Sequence, residues 1–397
     1  MKLSHPLGQT MRSPIAEARS WVADLGPAER ARLIDLSQAA PANPPHPELR
    51  AALARRVISE DAHFYGAVLG QDDLRQAVAQ RWARIYQAEV APECVAITAG
   101  CNQAYCAAIA AVAAPGDTVI LTAPYYFNHV MRLNYAGIQV RYLGLTGDMT
   151  PDPAGLETLM DDTVRAIVLV SPNNPTGAEY SPEVLRRFYD AAKSRGIALI
   201  LDETYLDFRQ NTGPPHDLFS QNDWEDTFIH LYSFSKSYRM TGHRVGTLTA
   251  GPKVLALVET YLDCETICAN RVGQMAALYG LAELDADIAA QRQEMLDRNS
   301  TLRALVADWP GWTLLSSGAF FAYVRHPYDE DARYIAKALA RKAGVLALPG
   351  SMFAPADTEL ARSTMRIAFA NVDENALHEV SDRIIGFTHR NLAGNIA

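Results

Sequence analysis

The segment SFSKSYRMTGHRVG, residues 233–246, places Lys236 between two serines and Arg244 shortly after it. A lysine amine held near other positive charge loses its proton more easily, which suits an amine that forms a Schiff base with a carbonyl compound. The serine hydroxyls and the arginine can also bind an anion. The alternative is an ordinary basic surface loop, so other parts of the chain must decide between the two interpretations.

Two further polar groups follow apolar runs of the chain. In SPNNPTG, residues 171–177, Asn174 precedes a proline and is therefore pushed to an extended conformation, so the loop can hold its carboxamide in one orientation. Asp202 follows the apolar run 197–201 directly, and burial of a lone carboxylate is costly. No basic residue stands beside Asp202 in the sequence, which favours a cationic ligand as its partner. The alternatives are a turn without a partner for Asn174 and a helix cap for Asp202.

Three weaker signals come from a turn, a tyrosine pair and an arginine. The small residues around Gly100 and Cys101 open a helix, where free backbone N–H groups can bind phosphate, although a plain turn is the alternative. Tyr126 follows an apolar run and can stack on a planar ligand or pack in the core. Arg366 lies within an apolar strand, which indicates a clamp for a carboxylate or a structural ion pair.

Seven short apolar runs, most of them separated by helical stretches, must position these groups. This alternation predicts an α/β fold with a seven-stranded, mostly parallel sheet that has helices on both faces. Ligands of such sheets bind at the carboxyl ends of the strands, where the polar groups fall. The runs are 94–98, 118–122, 138–143, 165–170, 197–201, 227–231 and 245–250.

The remainder of the chain predicts a second, smaller α+β domain. Helical periodicity continues from about 253 to 306, and shorter strands and helices follow it. The proline-rich loop 41–47 is a candidate domain crossing. We therefore predict an N-terminal segment, 1–45, that joins the small domain, a large domain, 46–285, and a small C-terminal domain, 286–397.

Composition excludes several classes of protein. With 397 residues and a net charge of −9, the chain is not expected to have nucleic acid or an anionic membrane as its main partner. Its five cysteines are odd in number and lack CxxC spacing, so neither a disulfide framework nor a bound metal is expected. The first residues show no secretory signal, and we expect a cytoplasmic protein.

Taken in order, NNPTG, DETY, SFSKSYRMTGHRVG and MRIAFA resemble the class I/II aminotransferases, which are fold-type I enzymes dependent on pyridoxal 5′-phosphate (PLP). The resemblance extends from about Asp35 to Phe369. It implies that an amino group moves between an L-amino acid and a 2-oxo acid by a ping-pong mechanism. A PLP-dependent C–S lyase on the same scaffold is the alternative, because lyases share these residues.

The resemblance also implies a role for each polar group. Lys236 would bind PLP as a Schiff base and act as general base. Asp202 would face the protonated pyridine nitrogen, and Tyr205 would be the third catalytic residue. The other implied cofactor contacts are to the ring, from Asn174, Tyr205 and the stacked Tyr126, and to the phosphate, from Gly100, Cys101, Ser233, Arg244 and, more weakly, Ser235.

The implied substrate contacts and partners complete the prediction. Arg366, with Asn174, would bind the substrate carboxylate. Tyr65 would reach the phosphate in the neighbouring subunit, which implies a homodimer. One departure from the family is Ala39, which stands where glycine is common. Ala39 either narrows the substrate entrance or has no effect.

Overall fold

A computed structural model describes residues 1 and 5–392 of the chain. Its strands are β1 (Ile34–Asp35), β2 (Val95–Thr98), β3 (Thr118–Ala123), β4 (Gln139–Gly144), β5 (Val164–Val170), β6 (Ala198–Asp202), β7 (Phe228–Ser233), β8 (Gly246–Thr249), β9 (Thr313–Gly318), β10 (Phe321–Arg325), β11 (Val345–Leu346), β12 (Leu348–Pro349) and β13 (Thr364–Ala368). Its helices are α1 (His5–Gln9), α2 (Pro14–Ser20), α3 (Pro27–Ala31), α4 (Pro47–Val57), α5 (Asp72–Tyr86), α6 (Cys101–Val112), α7 (Phe127–Tyr135), α8 (Pro182–Arg195), α9 (Phe234–Ser237), α10 (Pro252–Thr266), α11 (Arg271–Glu283), α12 (Asp285–Ala307), α13 (Ala332–Ala338), α14 (Glu359–Ser363), α15 (Glu374–Ile385) and α16 (His389–Leu392).

The seven predicted apolar runs are the seven strands of one sheet, in the order β2-β8-β7-β6-β5-β3-β4. All neighbours pair in parallel except β8, which is antiparallel to both β2 and β7. Apolar residues fill these strands because helices cover both faces, as expected for a parallel sheet. The predicted fold class is therefore confirmed.

Because β8 runs opposite to the other strands, the segment that precedes it lies at the edge of the sheet where those strands end. Gly246, the first residue of β8, pairs with Thr98 at the end of β2 and with Ser233 at the end of β7. The residues that precede β8 therefore lie at the edge where the parallel strands end. Arg244 reaches this edge for that reason.

Side chains alternate between the two faces of the sheet, as in any β-strand. In β6, Ile200 packs in one buried cluster, whereas Leu199 and Leu201 pack in another. We name the side of Ile200 the front face and the side of Leu199 the rear face. Pairing continues beyond β6, where the Glu203 N–H donates to the Leu231 carbonyl at 2.9 Å. Asp202 therefore belongs to the front face and Glu203 to the rear face.

The predicted helical region that follows the sheet consists of three helices, α10, α11 and α12. The chain leaves α10 at Ile267, whose φ of +63° is incompatible with a continuing α-helix. Asn270 then starts α11, because its side-chain oxygen accepts from the Gly273 N–H at 2.7 Å. No helix of residues 5–392 combines the length and the apolar character that a bilayer span requires.

A second, antiparallel sheet has the order β12-β13-β10-β9. The N-terminal strand β1 pairs in parallel with β11, which comes just before strand β12 of this sheet in the chain. In addition, Asp24 forms an ion pair with Arg341, and Trp21 is buried among side chains of the C-terminal part. These contacts support our proposal that residues 1–45 join a smaller domain formed by residues 286–397.

Candidate active site

A cavity of about 240 Å³ opens at the carboxyl edge of the large sheet. Most residues with a predicted role line it, and Gly100 and Arg366 contact residues that do. The lining residues with a predicted role are Cys101, Tyr126, Asn174, Asp202, Tyr205, Ser233, Ser235, Lys236 and Arg244. The topology explains this convergence, because the strands β2, β3, β5, β6 and β7 all end at this edge.

Lys236 lies in the short helix α9, and its side chain enters the cavity. Its Nζ donates to the Ala39 carbonyl at 2.5 Å. Loss of solvent and the positive charges of Arg366 and Arg244 lower the pKa of Lys236 to about 8. An amine with this pKa is partly unprotonated near neutral pH, so it can act as a nucleophile and as a base.

Asp202 is 4% exposed and accepts hydrogen bonds from several directions. The Thr204 N–H donates to Oδ1 at 2.9 Å, and His129 Nε2 lies 3.5 Å from Oδ2. Burial by itself would raise the pKa of Asp202, but the hydrogen bonds from His129 and Thr204 outweigh burial and lower it. The carboxylate is therefore held in its ionised form on the floor of the cavity.

His129 is a basic neighbour of Asp202 that the sequence did not indicate. Tyr105 stacks on the imidazole with 3.9 Å between ring centroids, and Tyr126 contacts it edge-on at 5.2 Å. Sequence reasoning missed this because His129 comes from α7, which follows a different strand from Asp202. Only its position just after the tyrosine pair could have drawn attention to it.

The start of α6 forms a site suited to an anion. Gly100 has a φ of +83°, and a side chain there would collide with the Arg244 guanidinium. No acceptor within residues 5–392 pairs with the N–H groups of Cys101 and Asn102. Arg244 Nη1 also donates to Ser235 Oγ at 3.4 Å. Free N–H groups, hydroxyls and a guanidinium together provide the donors that a phosphate requires.

The hydroxyl of Ser233 lies next to this anion site. Its Oγ accepts from the Ser235 N–H at 3.2 Å, which caps α9. The O–H of Ser233 remains able to donate, and both serines line the cavity. Asn102 is a further lining residue to which the sequence analysis gave no role.

Arg366 in β13 is 1% exposed and packs between the rings of Phe321 and Phe353. Its Nη1 donates to Asn174 Oδ1 at 3.0 Å, and its Nη2 donates to the Ser37 carbonyl. Among the described residues, no carboxylate forms an ion pair with it, so the alternative of a structural ion pair is wrong. Burial lowers the pKa of Arg366 to about 10. A buried guanidinium without a carboxylate is a site for an anionic ligand.

Tyr205 and Asn174 extend from neighbouring loops into the same cavity. The Tyr205 ring packs edge-on against Phe320 and Phe321, and burial raises the pKa of its hydroxyl group. In the part of the chain that the structure describes, neither the Tyr205 hydroxyl nor the Asn174 side-chain nitrogen has a hydrogen-bond partner. Both groups are therefore available to a ligand.

Tyr65 does not reach this cavity, since its side chain is 77% exposed elsewhere on the surface. Phe64, which directly precedes Tyr65, and Ile58, which directly follows α4, are also strongly exposed, at 68% and 84%. Exposed apolar side chains in such a group are characteristic of a contact surface.

Within residues 5–392, no group of three or more histidine, cysteine or acidic side chains is arranged to hold a metal ion.

The family model for the class I and II aminotransferases matches residues 31–384. The chain therefore belongs to this family and is an aminotransferase. Its curated relatives include the aspartate aminotransferase of Thermotoga maritima, 30% identical over 86% of this chain and 88% of the relative. The valine–pyruvate aminotransferase of Mycobacterium tuberculosis is 30% identical over 87% and 90% of the two chains.

The fold comparison agrees with the family. The crystal structure of the Thermotoga maritima aspartate aminotransferase superposes with a TM-score of 0.87 and 26% identity, covering 97% of this chain and 99% of the other. The names of these relatives describe amino-group transfer, so the C–S lyase alternative is not favoured.

Proposed function

We propose that this aminotransferase uses PLP, bound to Lys236, to exchange an amino group between an L-amino acid and a 2-oxo acid. One observation carries the proposal. A single cavity combines a lysine of lowered pKa, an ionised and buried carboxylate and a site for an anion, and the buried Arg366, which has no carboxylate partner among residues 5–392, contacts the lining residue Asn174.

The chemical character of the cavity fits PLP group by group. The start of α6, with Ser233, Ser235 and Arg244, suits the phosphate, and Asp202 suits a protonated pyridine nitrogen. The free donors of Tyr205 and Asn174 suit the phenolic oxygen of the ring. Tyr126 stands at the wall of the cavity, where an aromatic ring can stack. When bound, PLP supplies the electron sink that makes the α-proton of an amino acid removable.

The residues of the chain then perform three tasks. Lys236 takes the proton from the substrate α-carbon and returns a proton in the reverse half-reaction, which a pKa of about 8 permits. Asp202 would hold a proton on the ring nitrogen of bound PLP, and His129 keeps Asp202 ionised and oriented. Arg366, with Asn174 beside it, would bind the α-carboxylate and so would orient the substrate in the cavity.

The test of this function separates two half-reactions. PLP-loaded enzyme mixed with one amino acid and no acceptor is expected to convert stoichiometrically to the aminated form of the cofactor, followed by absorbance. Addition of a 2-oxo acid is expected to restore the original spectrum. Continuous release of pyruvate and ammonia without an acceptor would instead identify a lyase. A panel of acidic, aliphatic and aromatic amino acids in the same assay identifies the donor.

For Arg366→Lys, we expect a raised KM for the amino acid and a fall in kcat/KM of about 10- to 100-fold. The reason is that lysine keeps the charge but loses the paired hydrogen bonds of a guanidinium, worth about 1.5–3 kcal/mol. Steady-state kinetics measure both values, and a PLP titration should show unchanged cofactor affinity. Arg298→Lys is the control, because Arg298 pairs with Glu294 outside the cavity. Equal KM values for the two variants would contradict the role of Arg366.

We also propose that the enzyme is a cytoplasmic homodimer in which Tyr65 contacts the phosphate of the neighbouring site. The exposed apolar group around Tyr65 supports such a contact surface. All five cysteines are free thiols, which suits a reducing compartment.

A further inference from the structure

Lys236 lies in a helix of four residues, α9, which has no independent stability because helix nucleation is unfavourable. Its orientation must therefore come from contacts with the surrounding protein. The next residue, Ser237, is 0% exposed and provides such a contact on the side away from the cavity. Ser237 Oγ donates to Asp207 Oδ2 at 2.5 Å, and its carbonyl accepts from Gln291 Nε2 at 3.0 Å.

Asp207 joins this helix to the segment that carries the other functional groups. It follows Asp202 and Tyr205 closely in the chain, within a short helical turn at 206–208. Its carboxylate also accepts from the Tyr232 hydroxyl at 2.6 Å. Tyr232 belongs to the rear-face cluster, whereas the adjacent Ser233 lines the cavity. A single carboxylate behind the sheet therefore links the Asp202–Tyr205 segment to the helix of Lys236.

Arg81 compensates the charge of Asp207. This arginine, 5% exposed, projects from α5 and forms a close ion pair with Asp207 Oδ1. Its guanidinium also lies 5.7 Å from the centroid of the Tyr232 ring. A buried carboxylate with a paired charge and hydroxyl donors has a fixed position, since any shift would leave one of these groups unsatisfied. Neither Asp207 nor Arg81 lines the cavity.

We propose that Asp207, held by Arg81, is a positioning residue that sets the orientation of Lys236 through the hydroxyl of Ser237. This inference rests on the proposed binding of PLP by Lys236. The buried polar cluster of Asp207, Arg81, Tyr232 and Ser237 would thereby have a function in the active site, although none of these residues lines the cavity. This link would keep Lys236 in a fixed position relative to Tyr205, whose ring centroid lies 5.7 Å from Lys236 Nζ.

The test compares two variants that each remove one hydroxyl from the same carboxylate oxygen. Ser237→Ala removes the link between α9 and Asp207. Tyr232→Phe removes the hydroxyl that donates to Asp207 at 2.6 Å and, at 3.3 Å, to Ser237 Oγ, and it leaves the shorter Ser237–Asp207 bond in place. Both leave Asp207 paired with Arg81, so no buried charge is stranded and both proteins should fold. Measurements are the PLP dissociation constant, the pH titration of the absorbance of lysine-bound PLP, and thermal unfolding of the cofactor-free protein.

For Ser237→Ala, we expect about tenfold weaker PLP binding, the usual effect of losing a hydrogen bond to a charged group, and a displaced pH titration. For Tyr232→Phe, we expect a similar loss of thermal stability with both cofactor measurements unchanged. The inference is overturned if the two variants behave alike or if Ser237→Ala alters only stability. If the wild-type protein shows no lysine-bound PLP, the proposed function itself fails, which is a different result.

Discussion

Lys236→Ala is expected to abolish the visible absorbance of lysine-bound PLP and to slow amino-group transfer by about 10⁴-fold, the upper range for general base catalysis. The variant loses the amine that we propose both binds the cofactor and moves the α-proton. It also loses the single hydrogen bond to the Ala39 carbonyl, so the fold should persist. Absorbance spectra and single-turnover kinetics measure the two effects.

Lys253→Ala is the matched control for this prediction. Lys253 is 86% exposed and pairs with Asp226 on the surface, so its removal should change neither spectrum nor rate. The assignment of Lys236 would be wrong if its alanine variant kept transfer within tenfold of wild type. It would also be wrong if Lys253→Ala removed the absorbance.

Asp202→Asn should have the second largest effect, a loss of about 10³-fold in kcat with PLP still bound to Lys236. Asparagine keeps the size of the side chain but not the negative charge that we propose retains a proton on the pyridine nitrogen. Since the Thr204 N–H can still bond to the amide oxygen, the thermal stability should fall little. Rapid-mixing absorbance with a single amino acid isolates the proton-transfer step.

Asp217→Asn supplies the comparison for a carboxylate of the same type. Asp217 forms an exposed ion pair with Arg186 and should be neutral to activity. Unchanged kinetics for Asp202→Asn would refute the role of the carboxylate. If weaker binding of PLP accounted for the whole loss of activity, Asp202 would contribute to cofactor affinity and not to the rate of proton transfer.

The sequence predicted the sheet well because buried parallel strands are apolar throughout. Each strand of the sheet corresponds to a run that stands out from its surroundings, and the polar groups that line the cavity follow such runs, whereas Arg366 lies within β13 of the other sheet. The direction of β8 was not predictable in this way, because an apolar run has the same composition in either orientation. The placement of Arg244 depends on that direction.

The contacts of residues 37–40 and of His129 could not be predicted. Ser37 and Ala39 act through backbone carbonyls, which accept from Arg366 and Lys236, and a carbonyl is common to every residue type. His129 contacts Asp202 although the two residues follow different strands of the sheet, β3 and β6. Such contacts depend on the three-dimensional path of the chain and have no local sequence pattern.

The pairing of Gly246 with both Thr98 and Ser233 has a consequence for assembly of the enzyme. The proposed donors for the phosphate come from segments far apart in the chain, and they meet only where β8 lies between β2 and β7. We therefore expect a partly folded chain to lack high affinity for PLP. Because a ligand specific for the native state stabilises it by mass action, we expect the supply of PLP to shift the balance between folded enzyme and chains open to proteolysis.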